Sequence, residues 1–332
     1  MKIGLAYDLR DDYLAQGFSE EAVAEFDSLE TINALEGALT RLGHETERIG
    51  HVKALAARLV AGARWDLVFN IAEGVKGRAR EAQVPALLEA YDVPYVFSDP
   101  LTCAATLDKA VAKRLVRDQG IATAAFAVLE SDADAAAVSL GFPLFVKPIA
   151  EGTGKGCERA SKVMDHAALA AAARAIRARF QQPAIAEAFL PGREFTVGIV
   201  GNGAAARVIA VMEITLLNNA EAEVYSYLNK EECESRVRYQ LADDAQARQA
   251  GMSALAAYRA LDCRDAARVD LRADARGVPH FLEVNPLAGL HPSHSDLPIL
   301  AGLAGWRYDD LIGRIVEASA ARYGLKLRRR AA

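Results

Sequence analysis

A chain of 332 residues with a net charge of −5 is too long for one small core and too acidic for a protein that coats nucleic acid. Hydrophobic residues make up 52% and charged residues 25%, which excludes a disordered chain and suits two or three globular lobes. Four scattered cysteines (Cys103, Cys157, Cys233, Cys263) have no CxxC spacing, so neither a disulfide frame nor a zinc site is expected.

Met1–Asp8 turns polar too early for a signal peptide. No apolar run reaches the roughly 18 residues that span a membrane. A soluble, cytoplasmic protein is expected, without membrane or nucleic-acid partners. The basic stretch Lys326–Arg330 reads as a solvated tail.

In chain order, residues 3–7 are predicted to form a short buried strand. A helix follows, with Ser28 as N-cap, Leu29, Ile32, Leu35, Leu39 and Leu42 on one stripe, and Gly43 past its end. Asp66–Ile71 and Val93–Phe97 are the next predicted strands. Strands alternating with helices give a parallel α/β sheet over residues 1–100, with ligands expected beyond the carboxyl ends of its strands. A helix over 106–119 is predicted to be capped by Thr106 and stopped by Gly120. Leu144–Pro148 is a strand running into the glycine-rich turn Glu151–Gly156, and an alanine-rich helix spans 166–180. Strands are predicted at 184–189, 194–200 and 207–214, the last two joined by a Gly201-Asn202-Gly203 hairpin turn. A helix at 243–262, strands at 266–272 and 279–285, and a helix at 308–322 complete the pattern.

Strand alternation sorts the chemistry. Arg268 and Asp270 share one face of their strand, with Val269 and Leu271 on the other. Glu283 and Asn285 share one face of theirs, with Leu282 and Val284 on the other. If the apolar faces pack on the core, two carboxylates, an amide and a guanidinium form one patch. Such an all-oxygen set suits Mg²⁺, which takes one or two carboxylates plus phosphate oxygens and water. A solvent-facing salt-bridged hairpin explains the same four residues equally well. Lys147, at a strand end before the glycine-rich turn, suits a phosphate. That turn is not a Walker A loop, because Gly154-Lys155-Gly156 lacks the Ser/Thr after the lysine.

The segments FPLFVKPIAEGTGKG, AIAEAFLPGREFTVGIVG, YSYLNKEE and AARVDLRADARGVPHFLEVNPLAG, in this order, resemble the ATP-grasp ligases, and among them the D-alanine–D-alanine ligases. The resemblance runs from about residue 66 to 316. It implies an N-terminal open parallel α/β (pre-ATP-grasp) domain over 1–102, followed by a two-lobed ATP-grasp domain. The lobes would be a central subdomain (103–186) and a C-terminal subdomain with the metal site (187–322), ahead of a tail at 323–332.

It implies an ATP-dependent carboxylate–amine ligase that forms a dipeptide or related amide through an acyl phosphate, using ATP and two Mg²⁺ ions, with Mn²⁺ as an alternative. By position, Lys109 and Lys147 match lysines on the ATP phosphates. Glu151, Gly152, Thr153 and Gly154 lie in the matching mobile loop. Glu187, Ala188, Phe189 and Leu190 match the adenine-lining segment, and Glu194 a carboxylate near the ribose. Lys230 matches a closing-loop lysine on the γ-phosphate. Asp270, Glu283 and Asn285 match the metal ligands, Arg268 the arginine beside the acyl phosphate, and Gly289 a backbone donor to the oxyanion. Ser295, with Ser293 beside it, matches a substrate-binding serine one residue out of step. Substrates would be amino acids or other small carboxylates and amines, and a homodimer is expected.

The half that binds the first amino acid departs from the family pattern. Tyr7–Asp12 lacks the usual first loop, leaving Glu25 or Asp27 as the replacement for the carboxylate that holds the substrate ammonium. Glu73 stands where the family has a histidine. Arg78 and Arg80 are additional charges, read either as a preference for an acidic or larger substrate or as a solvated helix start. These departures leave two alternatives to a true D-alanine–D-alanine ligase: a diverged amino-acid ligase of specialised metabolism, and a non-catalytic or regulatory ATP-binding protein on the same fold.

Overall fold

The computed structural model describes residues 1–217, 229 and 232–327, and three sheets carry its architecture. The first is parallel and built from β1 (Lys2–Ala6), β2 (Glu45–Gly50) and β3 (Leu67–Asn70), in the order β2-β1-β3. Every residue of β3 is buried, as its apolar run requires. β2 has no apolar run; Ile49 is its one buried residue, and pairing with β1 makes it a strand. The expected strand at Val93–Phe97 reduces to one bridge, in which Val68 N–H donates to Pro94 and Val96 N–H donates to Val68. Phe97 has φ +77°, which ends the pairing, and its N–H turns to the Asp265 carboxylate at 2.8 Å.

The helix Leu29–Arg41 starts where expected, with Ser28 accepting from Thr31 N–H. Ile32, Leu35 and Leu39 are fully buried in the core it shares with β1 and β3.

The expected single helix over 106–119 is two helices, Pro100–Leu107 and Lys109–Asp118. Thr106 is not a cap: its hydroxyl donates back to the Thr102 carbonyl at 2.7 Å. The break is at Asp108, whose extended backbone (ψ 101°) frees its carboxylate to accept from Ala110 and Val111 N–H. The break sets Lys109 at a helix start.

The second sheet is antiparallel, in the order β4-β7-β5-β6, from β4 (Phe126–Leu129), β5 (Leu144–Pro148), β6 (Lys162–Val163) and β7 (Ala184–Ala188). The third contains β8 (Glu194–Val200), β9 (Arg207–Leu216), β10 (Val237–Leu241), β11 (Ala266–Ala273) and β12 (Pro279–Asn285), in the order β10-β9-β8-β11-β12. Ala247, Ala250, Ala254 and Ala257 of the helix Ala245–Ala260 pack with Phe195, Val197, Val269 and Phe281 of this sheet. Small side chains let the helix lie close to the sheet. Between β8 and β9, Gly201 takes φ +100°, and a Cβ there would meet the Ala205 carbonyl at 2.8 Å. Among the described residues no helix is long and apolar enough to cross a membrane, and Cys103, Cys157 and Cys263 form no disulfide.

Candidate active site

β11 and β12 pair as Arg268↔Asn285, Val269↔Val284 and Asp270↔Glu283. The register then shifts, and Leu271 faces Phe281. Leu282 is therefore the extra residue of a bulge. The expected placement of Leu282 with Val284 on the core face is corrected: Phe281 is the fully buried core residue, and Leu282 lines a cavity. The bulge re-aims one side chain without disturbing the Asp270–Glu283 pair.

Two cavities meet at this patch, sharing Lys109, Glu151 and Glu283 as lining residues. The smaller, about 100 Å³, is lined by Lys147, Glu187, Ala188, Phe189, Leu190, Glu194, Gly154 and Asp270, so most residues matched to ATP converge here. Lys147, at the end of β5, is buried and lies 2.8 Å from Glu187 Oε2. Lys113 Nζ lies 2.5 Å from the other oxygen, Oε1, without hydrogen-bond alignment. Burial alone would raise the Glu187 carboxyl, but Lys113 and Lys147 hold it down at about 2. Burial likewise opposes the charge on Lys147, and Glu187 overrides it, so Lys147 stays protonated. The Glu187 carboxylate thus serves the lysines, while the chain from Ala188 to Leu190 lines the cavity. Glu194 pairs with Arg272 at 3.3 Å, and Arg272 lies over the Phe189 ring.

Lys113 and Arg272 escaped the sequence reading. The one signal for Lys113 was its position four residues after Lys109, on the same helix face.

The glycine-rich turn is closed by Lys155 N–H donating to Gly152, and Gly156 takes φ +70° against Pro148 and Phe180. Glu25 pins this turn from the N-terminal side, accepting from Gly152 N–H and from Lys155 Nζ, and pairing with Arg80 at 3.0 Å. Lys109 Nζ donates to the Glu151 carbonyl at 2.5 Å and lies 3.1 Å from Glu283 Oε2.

Arg268 lies 3.0 Å from Asp270 and 3.3 Å from Asp296. Thr196 donates to Asp270 Oδ1 at 2.9 Å. Asn285 donates at 3.4 Å to Asp270 Oδ2. Two carboxylates in register with an amide beside them form an all-oxygen donor set that fits Mg²⁺. Among the described residues no three His, Cys, Asp or Glu gather as a closed metal cage, so such an ion would need substrate oxygens and water to complete its shell.

The larger cleft, about 440 Å³, is lined by Arg268, Asn285, Gly289, Ser293, Ser295, Thr153, Gly152 and Glu73, among others. Ser295 Oγ accepts from His291 N–H at 3.0 Å and sits 2.8 Å from where a Gly289 Cβ would be, so the serine needs that glycine. Arg78 and Arg80 do not line this cleft. Arg80 is buried, donating to the Ala150 carbonyl at 2.9 Å, and Arg78 pairs with Asp108 at 2.7 Å; both line a separate outer cavity. Neither guanidinium meets a ligand in the cleft, because groups of the chain itself capture both. Lys230 lies outside the described residues.

Asp27 lines the larger cleft. Burial and the nearby Asp8 push its carboxyl from the ordinary 3.8 up to about 7, against the pull of Arg10. A raised carboxyl costs nothing below pH 4 and its full penalty above pH 7, with an upper bound of ~4 kcal/mol. Asp27→Asn is therefore expected to match wild type in urea unfolding at pH 4 and to be more stable at pH 8. A difference independent of pH would contradict this.

The D-ala D-ala ligase C-terminus family model matches residues 115–317. A protein of Sinorhizobium fredii named only as uncharacterized protein y4sG is 34% identical over 301 residues, 86% of each chain. The D-alanine–D-alanine ligase of Cupriavidus necator is 35% identical over 279 residues, 78% of this chain and 77% of that one. The crystal structure of D-alanine–D-alanine ligase from Bacillus anthracis complexed with ATP superposes with a TM-score of 0.73 over 98% of this chain and 99% of that one; at 23% identity it shows the shared fold. With the family model covering more than half of its length and relatives this similar over most of theirs, the chain belongs to the D-alanine–D-alanine ligase family of ATP-grasp carbon–nitrogen ligases.

Proposed function

We propose that the chain joins an amino-acid carboxylate to an amine, using ATP. A carboxylate oxygen of the first substrate attacks the γ-phosphorus and ADP leaves. The amine nitrogen of the second substrate then attacks the acyl carbon, phosphate departs with the transferred oxygen, and the nitrogen loses a proton. The observation that carries this reading is the Asp270–Glu283 register at the junction of a lysine-rich cavity and a wider cleft.

Phosphoryl transfer depends on positioning and neutralised charge. Lys147 and Lys109 would neutralise phosphate oxygens beneath the turn formed by Glu151, Gly152, Thr153 and Gly154. Ala188, Phe189 and Leu190 would cover the base, and Glu194 the ribose. Asp270, Glu283 and Asn285 would hold Mg²⁺, which supplies Lewis-acid charge neutralisation when bound. Arg268 and Gly289 N–H would face the developing charge on the acyl carbon, with Ser293 and Ser295 beside the second substrate. Lys230 keeps its closing-loop role on its motif alone.

The same reading assigns three units over residues 1–102, 103–186 and 187–322, a cytoplasmic location and a homodimer, all from family resemblance. A nucleotide-binding protein without turnover is not favoured, since Lys147, Arg268, Asp270, Glu283 and Asn285 are all in place. The changes around Glu73 favour a ligase with a substrate other than D-alanine. Phosphate release should require ATP, a carboxylate and an amine together, read across D- and L-amino acids by a colorimetric assay. ATP turnover that no amino acid stimulates would overturn the proposal.

A further inference from the structure

The charge balance of the larger cleft points away from alanine. Half of its eight acids are answered by a lysine or arginine of the chain, and a fifth, Glu30, lies 3.5 Å from His291. Glu25 has Arg80 and Lys155, Glu151 has Lys155, Glu283 has Lys109, and Asp296 has Arg268. Asp27, Glu73 and Glu81 differ. All three line the cleft, and among the described residues none of their carboxylates has a hydrogen bond or an ion pair. Glu81 is 9% exposed, so it is a nearly buried, unpartnered carboxylate aimed into the cleft.

Two of the three cations that influence them are committed elsewhere. Arg80 and Lys109 act on Glu81, but are already paired with Glu25 and Glu283. Arg10 lines the cleft too and acts on the Asp27 carboxylate without a hydrogen bond from its guanidinium, giving one nitrogen to the Ala24 carbonyl at 3.0 Å, so Glu73 and Glu81 hold the larger share of the uncompensated charge. Burial, and then Glu81 and Glu25, raise the Glu73 carboxyl; burial chiefly raises that of Glu81. This arrangement costs folding stability that the nearby cations return only in part among the described residues. A bound cation would return the rest.

The three acids do not form a metal cage by themselves, because among the described residues no three His, Cys, Asp or Glu gather at metal-ligand spacing. Spread-out positive charge on an organic substrate suits them. The α-ammonium of an ordinary amino acid answers one acid and leaves two. The volume, about 440 Å³, lies within the roughly 300–1,000 Å³ of small-molecule sites and leaves room for a long side chain.

We propose that the carboxylate-donating substrate is an amino acid with a cationic side chain, a diamino or guanidino acid, whose two positive groups face Asp27, Glu73 and Glu81. Its orientation rests on the ligase reading, with the carboxylate toward Arg268 and Glu283. Asp27 and Glu73 come from loops around the N-terminal sheet and Glu81 from the short 3-10 helix Arg80–Ala82, whereas Arg268 and Glu283 come from β11 and β12. One substrate can therefore span both.

The test compares lysine with norleucine, its uncharged counterpart, and with alanine, in both chiral forms. Phosphate release is measured with ATP and Mg²⁺, and binding by calorimetry with ADP and Mg²⁺. A charge-assisted hydrogen bond is worth about 1.5–3 kcal/mol, so kcat/KM for lysine should exceed that for norleucine about tenfold or more. Glu81→Gln should lower that ratio about fivefold, which a loss of folding alone would not do; circular dichroism checks the fold. Norleucine or alanine serving as well as lysine would overturn this inference and leave the ligase reading intact. Lysine binding preferentially without driving phosphate release would sustain the cation site and overturn the ligase reading. Absence of both binding and turnover would overturn both.

Discussion

Glu283→Gln is expected to keep the fold and to lower amino-acid-dependent ADP release about 10³-fold. Glu283 stands where the two cavities meet, faces Asp270 across the hairpin, and lies 3.1 Å from Lys109. Glutamine keeps its shape and removes its charge. Lys109 retains the Glu151 carbonyl as a partner, so the loss of stability should be small. On the proposed metal role, what disappears is a hard anionic ligand, at a point where an all-oxygen set with two carboxylates would have none to spare. Asp270→Asn should behave alike, apart from loosening Arg268, which it also holds. A coupled ADP assay beside a thermal melt reads both effects. Turnover within a few-fold of wild type would remove the metal role from this hairpin.

Lys113→Met is expected to cost about 3–5 kcal/mol of stability in urea unfolding, the usual loss on removing one partner of a buried ion pair. The side chain of Lys113 is fully buried. Its ammonium donates to Thr123 Oγ1 at 3.0 Å and to the Phe281 carbonyl at 3.1 Å, and faces Glu187 at 2.5 Å. Burial works against its charge and Glu187 supports it. Methionine fills similar space but leaves the buried Glu187 carboxylate with Lys147 alone. The ammonium also ties the helix Lys109–Asp118 to β12, so its loss should loosen Lys109 and weaken nucleotide binding. A cost below about 1 kcal/mol would mean that Glu187 does not need its second lysine.

Much of this arrangement was legible in the sequence because it is local. Alternation along 266–272 and 279–285 placed Arg268, Asp270, Glu283 and Asn285 on one patch, and the pairing agrees. The same rule misplaced Leu282, because a bulge belongs to the register between strands and no single strand announces it. Glu45–Gly50 was invisible for a similar reason: an edge strand of polar residues is specified by the neighbour it pairs with. Thr106 and Asp108 are both plausible caps by residue type, and the chain breaks at the carboxylate, which accepts two N–H groups.

The cleft was least legible. Arg80 reads as a spare cation until Glu25, far away in sequence, is seen to hold it. Glu73 was placed by resemblance where the first amino acid binds, but Glu81 drew no reading until the fold lined the same cavity with both. Ion pairing over such separations depends on the completed fold, and here it takes Arg78 and Arg80 out of the charge offered to a substrate.

The most direct test of the central claim uses an amino acid carrying ¹⁸O in its carboxylate, chosen by the phosphate-release screen and supplied with ATP, Mg²⁺ and the amine substrate. Attack of that carboxylate on the γ-phosphorus predicts inorganic phosphate with one ¹⁸O atom, formed together with ADP, as read by mass spectrometry. Phosphate without the label, or release of AMP and pyrophosphate, would contradict an acyl-phosphate ligase.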